Sequence, residues 1–348
     1  MKLKSNPSKD ILYSVKDLVV EYQTRVGTLT AVDNVSIDIN RGEVLGLVGE
    51  SGCGKSTLGK AMMRMISEPG KIASGELWFY PRLDDGKTEG IELLKLHDNQ
   101  MRDLRGSHIS MVFQDPMTSL NPVQRIVDHI SETILTHQPT ISKKAARARA
   151  AELVDRLGIN RNRLDDFPHQ LSGGMRQRVM ISLALALRAD LVIADEATTS
   201  LDVIVEAQFL DLLKELREEF NLTILLITHN IGLVAEIADR VVVMYAGRIA
   251  ELANVSDLFK TPQHPYSQGL MKAVPNIRLK DDELYKMPGY PPNLVNPPPG
   301  CHFQPRCPAA MDICSQIAPS LKLYSEDHYV NCWLYEEQPK LSGEVIKK

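Results

Sequence analysis

The chain has 348 residues, with 40 Lys and Arg against 44 Asp and Glu for a formal charge of −4, and 43% of its residues are apolar. This near-balance argues against a partner held by a broad positive field, so no nucleic acid is expected. The length exceeds a single core of usual size and predicts two lobes plus an appendage.

The N-terminal "MKLKSNPSKDILYSV" has no apolar stretch of signal-peptide length, and nowhere do about eighteen uncharged apolar residues run together. A cytosolic chain that spans no membrane by itself is therefore expected. Short β-branched runs flanked by turn residues recur at "EVLGLVG", "HISMVFQD", "LVIADE", "LTILLITH" and "RVVVMYAGRI". Continuous apolar runs suit strands buried on both faces, so these predict an α/β fold with a mostly parallel central sheet.

The first strand leads into "GESGCGKST", Gly49 to Thr57, which fits G-x-x-x-x-G-K-[ST] ahead of a helix near "STLGKAMMRM". Small residues at Gly49, Ser51, Gly52 and Gly54 let successive backbone N–H groups turn onto phosphate oxygens, and the helix N-terminus adds partial positive charge. Lys55 is placed to reach the β- and γ-phosphates of ATP. Ser56, followed by Thr57, offers its hydroxyl oxygen to Mg²⁺. Cys53, inside the loop, carries no assigned role.

Between the second and third strands the texture changes. "KKAARARAAELVDRLGI" sets Ala145, Ala148, Leu153, Val154 and Leu157 near helical spacing, and "MRQRVMISLALALRA" does the same with Val179, Leu183 and Leu187. A helical lobe inserted over about 116–188 is expected. "LVIADE" then ends in Asp195 and Glu196, at the strand end where open α/β sheets bind ligands. Beside a P-loop, Asp195 is expected to hold Mg²⁺ through water and Glu196 to act as general base on the attacking water. Taken alone, the two would read as solvated turn acids.

From Tyr285 to Gly300 the chain is "YKMPGYPPNLVNPPPG", whose prolines forbid helix and favour an extended linker. Beyond it lie Cys301, Cys307, Cys314 and Cys332, four of the five cysteines. A sparse, odd-numbered set in a reducing compartment does not read as disulfides, so the clustering points to metal. Four thiolates suit an iron–sulfur cluster or tetrahedral zinc, and the lack of paired C-x₂-C knuckles favours iron–sulfur. Unligated buried thiols are the alternative. A metal here would clamp a tail too short to form its own core. His302 and His328 could replace a ligand but read as surface histidines.

"LSGGMRQRV", Leu171 to Val179, followed by "LVIADE", resembles the ATP-binding cassette proteins, and the likeness extends along most of the chain. It implies an ATPase with a P-loop cassette fold and with ATP and Mg²⁺ as cofactors. It also implies a second ATPase subunit, because Ser172, Gly173 and Gly174 of one cassette complete the P-loop site of the other. By the same resemblance Gln114 in "VFQDP" senses Mg²⁺, His229 in "ITHN" contacts the γ-phosphate and Asp202 in "TSLDV" lies in the inter-subunit loop. Tyr22 stacks on adenine, a core tyrosine being the alternative. Ala197 stands where the family usually has proline.

"ISMVFQDPMTSLNPV", "VAEIADRVVVMYAGRIAE", "TPQHPYSQGLM" and "GYPPNLVNPPPGCHFQPRC" are similar to the ATPase subunits of oligopeptide and dipeptide importers. That likeness implies a [4Fe–4S] cluster on the tail cysteines and a heterodimer of related ATPases. It also implies two transmembrane permease subunits, an extracytoplasmic substrate-binding protein and a place at the cytoplasmic face of the membrane. Members move peptides, nickel complexes or oligosaccharides, and this chain is not expected to touch the substrate. The expected division is a cassette at 1–265, a linker at 266–300 and a cysteine-rich extension at 301–348. A soluble ABC protein of translation would carry two cassettes, and a DNA-repair ATPase would carry a long coiled coil; neither pattern is present.

Overall fold

The computed structural model describes residues 10–81, 89–113, 119–198, 203–273 and 286–336. Strand β1 (Ile11–Thr24) turns through Arg25 and Val26 into β2 (Gly27–Asn40), and the two pair antiparallel. After β3 (Val44–Val48) and helix α1 (Lys55–Met62), strands β4 (Gly70–Phe79) and β5 (Ile91–Glu92) complete a four-stranded antiparallel sheet in the order β2-β1-β4-β5. Its apolar side chains, among them Leu12, Val20, Ile37 and Leu77, form one core with Leu45 and Leu47 of β3. The sequence reading did not anticipate this sheet.

Helix α2 (Asp98–Leu104) precedes β6 (Ile109–Val112). The remaining strands of the main sheet are β7 (Leu191–Asp195), β8 (Thr223–Ile227), β9 (Arg240–Tyr245) and β10 (Arg248–Asn254). The pairs β9–β3, β3–β8, β8–β7 and β7–β6 are parallel, as the unbroken apolar runs predict. All five residues of β3, β7 and β8 are buried. Alternation explains why: Leu45 and Leu47 face the antiparallel sheet, while Val44 and Val48 face the helices. Burying each such side chain on both sides of the sheet contributes about 1.5–3 kcal/mol. "RVVVMYAGRI" is a hairpin rather than one strand. Ala246 and Gly247 have φ of 45° and 85°, the two positive values that a type I′ turn demands.

Between β6 and β7 the chain forms α3 (Ile126–His137), α4 (Lys143–Arg156) and α5 (Gly173–Leu185). In α4 the buried stripe is Ala146, Ala150 and Val154, running on to Leu157 beyond its end, while Ala145 and Ala148 are exposed. The expected apolar face is thus turned by one position, because several alanines on both faces leave the periodicity ambiguous. Helices α6 (Val203–Phe220), α7 (Ile231–Ile237), α8 (Val255–Lys260) and α9 (Pro265–Lys272) follow. Among the described residues no helix is long and apolar enough to cross a membrane.

Beyond the proline-rich stretch, β11 (Lys322–Ser325) and β12 (His328–Val330) join the main sheet, whose order is β11-β12-β10-β9-β3-β8-β7-β6. Glu251 pairs with Val330 and Leu252 with Tyr329, antiparallel.

Candidate nucleotide site

The site is built where β3, β7 and β8 end. After β3 the chain must turn sharply past β9 and β2, and only glycine fits. A Cβ on Gly49 would lie 2.1 Å from the Met244 carbonyl oxygen, and one on Gly54 would lie 2.1 Å from that of Ala31. Gly54 also has φ 106° as the residue before α1. Lys55, 4% exposed, is drawn back into the loop it follows, its Nζ donating to the carbonyls of Gly49 (2.8 Å) and Glu50 (3.0 Å). Ser51 and Gly52 form the exposed crest, and Thr57 is half-buried on the first turn of α1. Cys53 is buried, and burial pushes its thiol pKa up.

The structure brings Ser56 and Asp195 together: the Ser56 hydroxyl donates to Asp195 Oδ1 at 2.7 Å. Burial raises the Asp195 pKa, opposed by that hydrogen bond and by Lys60 and Lys55. A hydroxyl and a carboxylate are hard oxygen donors, the kind that suit Mg²⁺. Glu196 sits at φ 45°, outside the usual range for a non-glycine residue, with its amide held by the Ile227 carbonyl at 2.9 Å. His229 Nδ1 lies 3.6 Å from Glu196 Oε1. P-loop, acids and histidine thus line one edge of the sheet. Gln114 and Asp202 lie outside the described residues.

Ser172 starts α5, its Oγ accepting from the Met175 amide at 3.3 Å. Ser172 and Gly173 are exposed, and a Cβ added to Gly173 would meet nothing within 4 Å. The N-terminus of α5 is therefore an open cradle of backbone donors. Tyr22 lies in β1 between Leu29 and Gly70, half-buried against the antiparallel core, with its ring over Gly70.

Sequence reasoning passed over the residues that grip the P-loop from behind. Tyr266 of α9 accepts a hydrogen bond from the Glu50 amide at 3.0 Å. Arg306, from the short turn Gln304–Arg306, donates to both Glu50 carboxylate oxygens at 2.9 and 3.1 Å. Both lie within quoted motifs, "TPQHPYSQGLM" and "CHFQPRC", but nothing in those strings shows what they touch.

The tail cysteines do not form the expected iron–sulfur or zinc site. Among the described residues no group of three or more His, Cys, Asp or Glu side chains could hold a metal ion. Cys314 is buried with Ile313 and Trp333, with Cys301 and Met311 packed against them, and Cys332 is buried as well. Burial pushes the thiol of Cys301 up to about 11 and that of Cys332 up to about 12. Buried thiols of this kind pack as small hydrophobes. His302 and His328 are not surface residues either. Both are buried, with His302 Nδ1 2.7 Å from the Ala246 carbonyl oxygen and His328 Nε2 2.7 Å from Glu251 Oε1.

The ABC transporter family profile matches residues 32–199, and that of the oligopeptide/dipeptide transporter C-terminal region matches 250–314. The chain is 44% identical to the dipeptide transport ATP-binding protein DppD of Bacillus subtilis, over 95% of this chain and 98% of that protein. It is 45% identical to the oligopeptide transport ATP-binding protein OppD of Escherichia coli, over 89% of each. These names speak of ATP binding and peptide transport and mention no cluster. Among solved structures, the ATP-binding cassette MJ0796 in a dimeric post-hydrolysis state with ADP and Pi matches with a TM-score of 0.61 at 26% identity, covering 70% of this chain and 99% of that one. The chain is an ATPase of the ABC transporter family and belongs among the ATP-binding subunits of oligopeptide and dipeptide transporters.

Proposed function

We propose that the chain hydrolyses ATP to drive import of oligopeptides or dipeptides through a membrane ABC transporter, working at the cytoplasmic face as one of two related ATPase subunits beneath two permease subunits. An extracytoplasmic binding protein delivers the substrate, which this chain does not touch. The division into a cassette at 1–265, a linker at 266–300 and an extension at 301–348 belongs to the same proposal. The observation that carries the catalytic part is the 2.7 Å contact between Ser56 and Asp195 beside the Glu196–His229 pair.

In this reading the loop amides of Gly49 to Ser56 and the N-terminus of α1 bind the phosphates, and Lys55 leaves its carbonyl partners to meet the β- and γ-oxygens. Ser56, Asp195 and Gln114 hold Mg²⁺, which when bound offsets phosphate charge. Glu196 orients the attacking water and takes its proton, and His229 holds the γ-phosphate. Tyr22 stacks on adenine. The open start of α5, Ser172 to Gly174, closes over the nucleotide of the partner subunit with Asp202 at the seam, which supports an ATP-sandwich dimer. Replacing Glu196 with Gln tests this: ATP still binds, and steady-state hydrolysis falls by about 100- to 10,000-fold. Turnover within a few-fold of wild type would remove Glu196 from the base role.

A further inference from the structure

A P-loop exists to wrap an anion, yet this one carries its own carboxylate, Glu50, two residues after the strand. Left unpaired, that charge would oppose every phosphate the loop receives, and in a partly buried setting it would be weakly screened. The structure surrounds it. The Arg306 guanidinium meets both carboxylate oxygens, and its Nη1 also reaches the Tyr245 hydroxyl at 3.2 Å. Its Nε donates to the Pro288 carbonyl at 2.8 Å, and its side chain is 5% exposed. With the donors spent in this way the guanidinium has one orientation. On the main-chain side, the Glu50 amide is held by Tyr266, whose ring packs against Tyr245 and Phe303 at centroid distances of 4.5 and 5.5 Å. The same Glu50 supplies one of the two carbonyls on which Lys55 rests.

We propose that Arg306 is a positioning residue for ATP: by neutralising and fixing Glu50 it holds the P-loop in an anion-accepting shape, so that the C-terminal segment sets the nucleotide affinity of the cassette. This concerns the ATP step alone and stands whatever the cargo of the transporter.

The test measures affinity of the full chain for a fluorescent ATP analogue, in EDTA and in Mg²⁺, for wild type, Arg306→Ala, Glu50→Gln and the double variant. Removing one partner of a buried charge pair leaves the other uncompensated. Arg306→Ala is therefore expected to weaken binding about tenfold, in keeping with the loss of charged hydrogen bonds. The deficit should shrink as salt is raised, because the added term is repulsion. The double variant should return to within about threefold of wild type, since no charge is left to repel. Unchanged affinity in Arg306→Ala overturns the proposal, and so does a double variant as weak as the single one, which would make Arg306 a support for the fold only. Should Arg306→Ala fail to fold, Glu50→Gln and Glu50→Gln with Arg306→Gln are compared instead. Equal affinities sustain the proposal, and a further tenfold loss sinks it.

Discussion

Protonating His264 removes the acceptor that starts α9. Its Nδ1 receives the Tyr266 amide at 3.0 Å, and its own amide donates to Glu251 Oε2 at 2.9 Å, so the ring must stay neutral for the cap to hold. Burial lowers the His264 pKa from 6.5 to about 4, with Glu251 and the Asn331 backbone opposing the shift. A histidine whose folded pKa is depressed binds its proton later than in the unfolded chain. Stability is therefore full above about pH 6.5, is lost as the pH falls toward about 4, and levels off below that. The interval, at ~1.4 kcal/mol per pH unit, corresponds to a loss of about 3 kcal/mol. His264→Asn keeps a capping oxygen and abolishes the titration. Burial also lowers the pKa of His302, which sits in both proteins and cancels in the comparison. Burial pushes Glu251 up, but donors from His328 and the Gln263 and His264 amides outweigh it and leave its carboxyl below the usual range. Its own contribution is lost at more acid pH, as the pH falls through that lowered value. Urea unfolding of both proteins at intervals from pH 7.5 to 4 gives the difference directly, in a range set by the His264 titration. Wild type should lose about 3 kcal/mol more than the variant over this range. Parallel curves would show that His264 titrates normally and that its burial does not govern the acid limb.

Glu196→Gln should trap bound ATP while turnover falls by the factor given above, measured by phosphate release alongside nucleotide retention. Gly54→Ala drives a methyl against the Ala31 carbonyl in a left-handed backbone conformation. It is expected to cost about 2–3 kcal/mol in urea unfolding and to abolish ATP binding, whereas a folded variant with wild-type affinity would contradict the tight loop packing. Glu251→Ala strips the acceptor from the Gln263 and His264 amides and from His328. A loss of about 3–5 kcal/mol is expected, with proteolytic cleavage appearing first in residues 286–336. Cleavage no faster than in wild type would show that the tail is held elsewhere.

The parts of the fold readable in sequence are those whose chemistry is local. Strands β3, β7 and β8 announce themselves because burial on both faces needs unbroken apolar runs, and the P-loop does so because its glycines, lysine and serine are consecutive. β1 did not: its pairing with β2 shifts register between Val15 and Leu18 and again around Val20, and each shift breaks the alternation that would mark a strand. β11 and β12 are four and three residues long, too short to carry a period. The cysteines misled because spacing reports neither burial nor the direction a side chain points. In the folded tail, Cys314 packs beside Trp333, and Cys332 is buried with its thiol pKa pushed up by burial.

What sequence could not show at all is how the tail is fastened. Glu50 and Arg306 are 256 positions apart, and no motif spans such a distance. β12 meets β10 through only two residue pairs, so backbone pairing alone holds the segment weakly. The rest of the hold combines apolar packing, such as Phe303 against Tyr245 and Tyr266, with buried polar contacts: His328 on Glu251, His302 on the Ala246 carbonyl, Arg306 on Glu50. Apolar packing alone would tolerate sliding, but the polar contacts are satisfied in one register only. One of them ends at the nucleotide loop and a second ends beside it. Arg306 meets Glu50 directly, and Ala246 precedes Gly247, whose amide donates to the Cys53 carbonyl at 2.9 Å. A tail fixed by these atoms cannot shift without disturbing the P-loop, so its docking and the geometry of the phosphate site are one equilibrium rather than two.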